Sequence, residues 1–176
     1  MNMTSAQLAP STAASARALQ YTLGISEAFA TADTARTIVT YSLGSCVGLV
    51  LYDPVVKVGG MVHCLLPLST IDANKAREQP AMFTDTGVSM LLQMVFNLGA
   101  DRKRLVAKVA GGSCMMDEKG TFRIGERNYT ILRKVLWKNN IMLTGEDVGG
   151  TIPRTLYLEI ESGRIFVRTQ GTEKDL

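Results

Sequence analysis

The chain has 176 residues, a formal net charge of +3, and 46% hydrophobic against 20% charged residues, a balance that fits one soluble globular domain with a real core. Its basic residues are scattered apart from Arg102-Lys103-Arg104, read as a solvated loop, which excludes the concentrated electrostatic footprint of a nucleic-acid binder. No apolar run reaches the length of a membrane span, no signal-peptide pattern opens the chain, and three cysteines without a CxxC pair point to reduced thiols, so a cytoplasmic protein without membrane insertion is expected.

In chain order, residues 1–19 are rich in Ala, Ser and Thr with no acidic residue and no clear period; they read as a flexible leader. A single folded domain over 20–170 follows, with 171–176 as a tail. Strands are expected at 21–25 and 37–41, the second leading into the small-residue turn Gly44-Ser45 and then Cys46. An apolar run over 47–52 continues past Asp53-Pro54 into an alternating stretch, with Met61, His63 and Leu65 on one face and Val62, Cys64 and Leu66 on the other. That pattern predicts a second strand pairing back on the first as a hairpin.

A polar, mobile-looking segment runs to Pro80, and Val88, Leu91, Leu92, Val95 and Leu98 then predict a helix capped by Thr84 or Asp85 and closed by Gly99. Met90 and Met94 flank this face and read as core or partner surface rather than chemistry. A strand over 105–110 enters the loop Gly111-Gly112-Ser113-Cys114, which lacks the Lys-Ser/Thr of a phosphate-binding loop and suits close backbone approach instead. A second amphipathic helix from about Glu126 carries Ile131, Leu132, Val135 and Leu136 and ends at Asn139-Asn140, followed by a strand over 141–144. Runs at 155–161 and 164–169, joined at Ser162-Gly163, predict a closing hairpin. The sum is an α+β domain: mainly antiparallel β layers with two inserted amphipathic helices.

Candidate chemistry lies in the first hairpin. Cys46 sits where a turn meets a strand, a place for a nucleophile, and the hairpin could bring His63, the only histidine, beside it. An imidazole partner would draw the thiol toward its thiolate. The opposing readings are a satisfied core histidine and a small buried hydrophobe. A zinc site from the cysteines and His63 is a third, although the spacing has no paired CxxC or HxxxH element. Cys64, on the far face of the His63 strand, and Cys114, without a second histidine, read as structural.

The pattern Thr40, Leu43-Gly44-Ser45-Cys46-Val47, Asp53, His63 and Leu66-Pro67 resembles the CheD family, the chemoreceptor glutamine deamidases of chemotaxis. Lys108, Gly111-Gly112 with Met115-Met116, Ile124-Gly125 with Arg127-Asn128, and Asp147-Val148-Gly149-Gly150 with Arg154 follow in the same order. The resemblance implies an α/β-layered, cysteine-hydrolase-like fold and deamidation of receptor glutamines, with Cys46 as nucleophile, His63 as base and Thr40 orienting the ring. The plain alternative for Thr40 is a β-branched strand residue chosen for packing. Gly44 and Ser45 are assigned to the substrate and oxyanion contact, through backbone N–H groups around Ser45 and Cys46, and no cofactor or metal is expected. The implied partners are the cytoplasmic parts of methyl-accepting chemotaxis receptors and a CheC-type phosphatase of the response regulator CheY. Substrate recognition is expected on 69–83 and 111–116, and a non-catalytic adaptor acting by binding the phosphatase is the alternative function.

Overall fold

The structure, a computed structural model, describes residues 19–114 and 123–176. The strands in chain order are β1 (Leu19–Leu23), β2 (Ala28–Thr31), β3 (Arg36–Leu43), β4 (Val47–Asp53), β5 (Val58–Cys64), β6 (Val106–Gly111), β7 (Leu143–Val148), β8 (Arg154–Glu159), β9 (Ile165–Thr169) and β10 (Thr172–Asp175). The helices are α1 (Ala73–Glu78) and α2 (Thr84–Asn97), between β5 and β6, and α3 (Ile124–Lys138), between β6 and β7. The strands form two five-stranded sheets, ordered β1-β3-β8-β9-β10 and β2-β5-β4-β6-β7. Only the β1/β3 and β6/β7 pairs are parallel, so the α+β class with mainly antiparallel layers holds.

Period-two alternation in β4 and β5 sorts their side chains onto two faces. Val47, Leu49, Leu51, Val62 and Cys64 join a core with Val88, Leu91, Leu92 and Val95 of α2 and Leu132 and Leu136 of α3. On the other face Cys46, Val50, Tyr52 and Met61 join a second core with Ile38, Leu43, Leu156, Leu158 and Val167 of the opposite sheet. The β4/β5 sheet is therefore the middle of three layers, covered by helices on one side and by the other sheet on the other. All of β4 and β5 is buried, which explains why these strands are near-continuous apolar runs.

The expected hairpin is present, with Val47 opposite Cys64 and Gly48 opposite His63. Leu98 departs from the expected helix face and is exposed, because α2 ends at Asn97. Thr84 is the first residue of α2 and makes no side-chain cap; its hydroxyl and amide turn to the Leu66 carbonyl instead. Within the segment read as polar and mobile, α1 forms because Asp72 accepts a hydrogen bond from the Lys75 N–H at 2.9 Å. Six residues with one buried side chain, Ala76, give too little period to read from sequence. The residues assigned to a tail include β10, whose side chains are all exposed. It is held to β9 by backbone pairing and by ion pairs from Arg164 and Arg168 to Glu173 and from Arg164 to Asp175. The leader over 1–18 lies outside the described residues.

Arg104, placed in a solvated loop by sequence, instead clamps the base of the first hairpin. Its guanidinium donates to the buried Asp53 carboxylate at 2.7 Å, which also accepts from the N–H groups of Val55 and Asp101. Burial opposes ionisation of Asp53, but Arg104 and the two amides outweigh it and hold the carboxyl at about 2. The folded value lies below the unfolded one, so this stabilisation is present above pH ~4 and is lost as the pH falls toward 2. Asp53→Asn is expected to cost about 1.5–3 kcal/mol in urea unfolding at pH 7 and much less near pH 2. Equal losses at both pH values would show that the charge is not the cause.

Candidate active site

Thr40, His63 and Cys46 come from β3, β5 and the turn before β4, and the two-sheet packing brings all three to the space between the sheets. Thr40 and His63 are fully buried and Cys46 is 8% exposed. Thr40 Oγ1 lies 2.8 Å from His63 Nδ1 and 2.9 Å from the Leu23 carbonyl oxygen. A carbonyl can only accept, so the single hydroxyl proton goes to Leu23 and Oγ1 accepts from Nδ1–H. This fixes the neutral imidazole as the Nδ1–H tautomer and leaves a lone pair on Nε2. Nε2 is buried and, among the described residues, has no hydrogen-bond partner, an unusual state for a buried nitrogen.

The register puts Gly48 opposite His63, so Cys46, two residues earlier on the same face, is a diagonal neighbour of the ring, a relation that typically spans about 7–8 Å between Cα atoms. The thiol makes no hydrogen bond to Nε2 in this state. Burial pushes the Cys46 thiol up, opposed in part by its own backbone N–H, and burial pulls His63 down to about 4. Both shifts favour a neutral thiol and a neutral imidazole over the thiolate–imidazolium pair expected from sequence. The physical reason is desolvation: an apolar inter-sheet space disfavours both ions. Cys64 is buried against the helices, with its thiol pushed up by burial, and strand alternation turns it away from the His63 face. Cys114 is exposed. Among the described residues no three His, Cys, Asp or Glu side chains stand close enough to share a metal ion.

The turn carrying Cys46 is pinned by the Gly111-Gly112 loop. The Gly112 N–H donates to the Cys46 carbonyl at 2.7 Å and the Ser113 N–H to the Gly44 carbonyl at 2.8 Å. Gly111 has φ +108°, and a Cβ there would stand 2.3 Å from the Cys46 carbonyl oxygen, so only glycine lets the two backbones meet. The Gly44 N–H is donated to the Ser42 carbonyl. Gly44 therefore has no amide to offer an oxyanion, whereas among the described residues the amides of Ser45 and Cys46 have no acceptor.

The family described as CheD chemotactic sensory transduction matches residues 65–169. The chain belongs to the CheD family. A probable chemoreceptor glutamine deamidase CheD of Solibacter usitatus is 52% identical over 80% of this chain and 83% of its own length. Proteins carrying the same description from Syntrophus aciditrophicus and Pyrococcus horikoshii are 47% and 44% identical, each over 76% of this chain and 84% of their own. The crystal structure of the hypothetical protein YfiH of Bacillus licheniformis aligns at TM-score 0.44 and 12% identity, over 69% of this chain and 49% of that one, too slight a likeness to define the fold.

Two features of this CheD site had no role assigned from sequence. Asn128 is fully buried beneath the Cys46 turn; its signal is a polar residue at four-residue spacing from the buried Leu132 and Leu136. Arg154 donates to Asp147 at 2.7 Å, to Ser113 Oγ at 2.6 Å and to the Gly149 carbonyl at 2.7 Å, bracing the loop that pins Cys46. That pairing of a charged strand residue with a glycine turn has no local signature.

The chain's single histidine makes the tautomer directly measurable. Ring ¹⁵N spectra should show Nδ1 protonated and Nε2 bare at pH 7, with titration near 4 rather than near the ordinary value of 6.5. Because the folded value is depressed, His63 is an unprotonated base down to that pH, and it lowers stability progressively as the pH falls from about 6.5 toward 4. A ring titrating near 6.5 would contradict the burial argument.

Proposed function

We propose that this chain is a protein-glutamine deamidase that converts glutamine side chains of chemoreceptors to glutamate. The observation that carries the reading is the buried, unpartnered Nε2 of His63, held in its base tautomer by Thr40 on the face that also bears the Cys46 thiol. The names of the relatives as probable chemoreceptor glutamine deamidases support the substrate.

The reaction is acyl transfer to water. Cys46 Sγ bonds to the carboxamide carbon as Nε2 takes the thiol proton, so the two ions form only as the amide is attacked. The C–N bond then breaks, Nε2–H protonates the leaving nitrogen, and ammonia departs from a thioester. Water adds to the thioester with its proton passing to Nε2, and collapse releases the glutamate side chain and the thiol. Thr40 stabilises the transient imidazolium by accepting from Nδ1–H throughout, contributing orientation without charge.

Recognition of the polypeptide around the glutamine is assigned to 69–83 and to 111–116, of which 115 and 116 lie outside the described residues. The first is tied next to the catalytic strand: the N–H groups of Leu65 and Leu66 both donate to the Met82 carbonyl, and Ser69 donates to Asp85. Among the described residues no helix is long and apolar enough to cross a membrane, and the protein is taken to meet the receptor's cytoplasmic part by diffusion. A CheC-type phosphatase as a second partner rests on the family resemblance alone.

Incubation with a receptor cytoplasmic fragment should convert glutamine to glutamate, a gain of about 1 Da per site by mass spectrometry, with ammonia as the product of acyl transfer. Cys46→Ala should abolish turnover and His63→Ala lower kcat by roughly 10²–10⁴-fold. Thr40→Ala should lower kcat less, because the base remains. Undiminished turnover in Cys46→Ala would refute the mechanism.

A further inference from the structure

Asn128 stands on α3, on the helix side of the middle sheet, yet both N–H groups of its side-chain amide are directed at backbone next to the two strands of the site. Its Nδ2 donates to the Ser45 carbonyl at 3.0 Å and to the Leu65 carbonyl at 3.0 Å, using both amide hydrogens. Its Oδ1 accepts from Thr84 Oγ1 at 3.1 Å. The Thr84 hydroxyl has one proton within 3.1 Å of two acceptors, the Leu66 carbonyl and Oδ1, and the Leu66 carbonyl is already served by the Thr84 N–H at 2.7 Å. One fully buried side chain thus joins the residue before the nucleophile to the strand end two residues past the base.

The bond to Ser45 has a directional consequence. A trans peptide is planar with C=O and N–H antiparallel, so a Ser45 carbonyl drawn toward α3 turns the Cys46 N–H the other way, toward the inter-sheet space. One further observation agrees. The Cys46 carbonyl is fixed separately by the Gly112 N–H, so both peptide groups flanking the nucleophile are held. Among the described residues the Cys46 N–H is left without an acceptor, in a buried setting where such a group is rare unless a ligand supplies the partner.

We infer that Asn128 is a positioning residue for the oxyanion hole: it aims the Cys46 N–H at the oxygen of the carbonyl under attack. The inference rests on the deamidase reading for its substrate. The donor is fixed before the reaction, which is when an oxyanion-stabilising dipole is most effective. Asn128 itself touches no reacting atom and acts through the Ser45–Cys46 peptide.

The test separates turnover from thiol reactivity. Alkylation of Cys46 by iodoacetamide displaces iodide and forms no oxyanion, so it reports the thiol and His63 alone. In Asn128→Asp, which keeps the shape but loses both N–H donors, kcat on the receptor fragment should fall roughly 10- to 100-fold with KM nearly unchanged. Peptide-mapped alkylation of Cys46 should stay within about twofold of the wild type, because the thiolate chemistry is untouched. Wild-type kcat in the folded variant, or alkylation falling in step with kcat, would overturn the inference. Should Asn128→Asp show no cooperative melting, Thr84→Val decides: it frees Oδ1 at constant shape and should give a smaller fall in kcat with the same unchanged alkylation, and parallel changes would overturn the inference.

Absence of turnover in the wild type would instead refute the deamidase reading. The role of Asn128 is then decided by a peptide bearing a side-chain aldehyde in place of the glutamine carboxamide. Cys46 Sγ adds to the aldehyde carbon, the thiol proton passes to His63, and the new oxyanion sits in the same hole. Weaker aldehyde binding by the variant supports the inference, and equal binding overturns it.

Discussion

The hydrogen-bond chain from His63 Nδ1–H to Thr40 Oγ1 to the Leu23 carbonyl crosses from one sheet to the other through an otherwise apolar core. Its direction is set at the far end, because a carbonyl leaves the hydroxyl no choice of donor. The tautomer of His63 and the face it presents therefore both follow from the register in which β1 meets β3, with Leu23 opposite Thr40. A slip of one residue in β3 would turn Thr40 out of the inter-sheet space and remove the only group that orients the ring.

The proposed nucleophile is held by a different device. Cys46 lies just before β4, where a strand gives way to a turn, and its position depends on backbones meeting more closely than side chains allow. The Gly111 peptide passes against the Cys46 carbonyl, and the first turn of α3 packs on the same loop, since a Cβ on Gly125 would stand 2.5 Å from the Gly112 carbonyl oxygen. Asn128, one turn further along, then reaches the Ser45 carbonyl. Helix, glycine loop and the Cys46 turn form one stack, so precision at Cys46 comes from contacts that span from 66 residues of sequence (Cys46 to Gly112) to 83 (Ser45 to Asn128).

The parts of this arrangement that could be read from sequence are those with a local signal. The β4/β5 hairpin, the faces of β5 and the two long helices follow from periodicity, whereas Thr40 joins Cys46 and His63 only through the family resemblance. Period-two alternation alone separates His63 from Cys64, and it does so correctly. What escaped reading has no local pattern: α1 rests on one cap and one buried alanine, β10 is a polar edge held by arginines, and Arg104 finds its carboxylate 51 positions away. The ionisation state of the site escaped for the same reason. Residue identity suggests an ion pair, but burial decides against it, and burial is a property of the fold.

That neutral resting state bears on how the site works. Two buried neutral groups cost little in stability, whereas a permanent thiolate–imidazolium pair in the same space would need compensation that the surrounding leucines and valines cannot give. In the proposed mechanism the charge separation is instead deferred to the moment when a carboxamide enters, and the oxygen that becomes negative would meet an amide already turned toward it. Substrate contacts remote from the amide can then be used to seat the group deeply enough for proton transfer to Nε2. On that reading the site responds to a side chain delivered on a polypeptide, which is the selectivity a protein-modifying amidohydrolase requires.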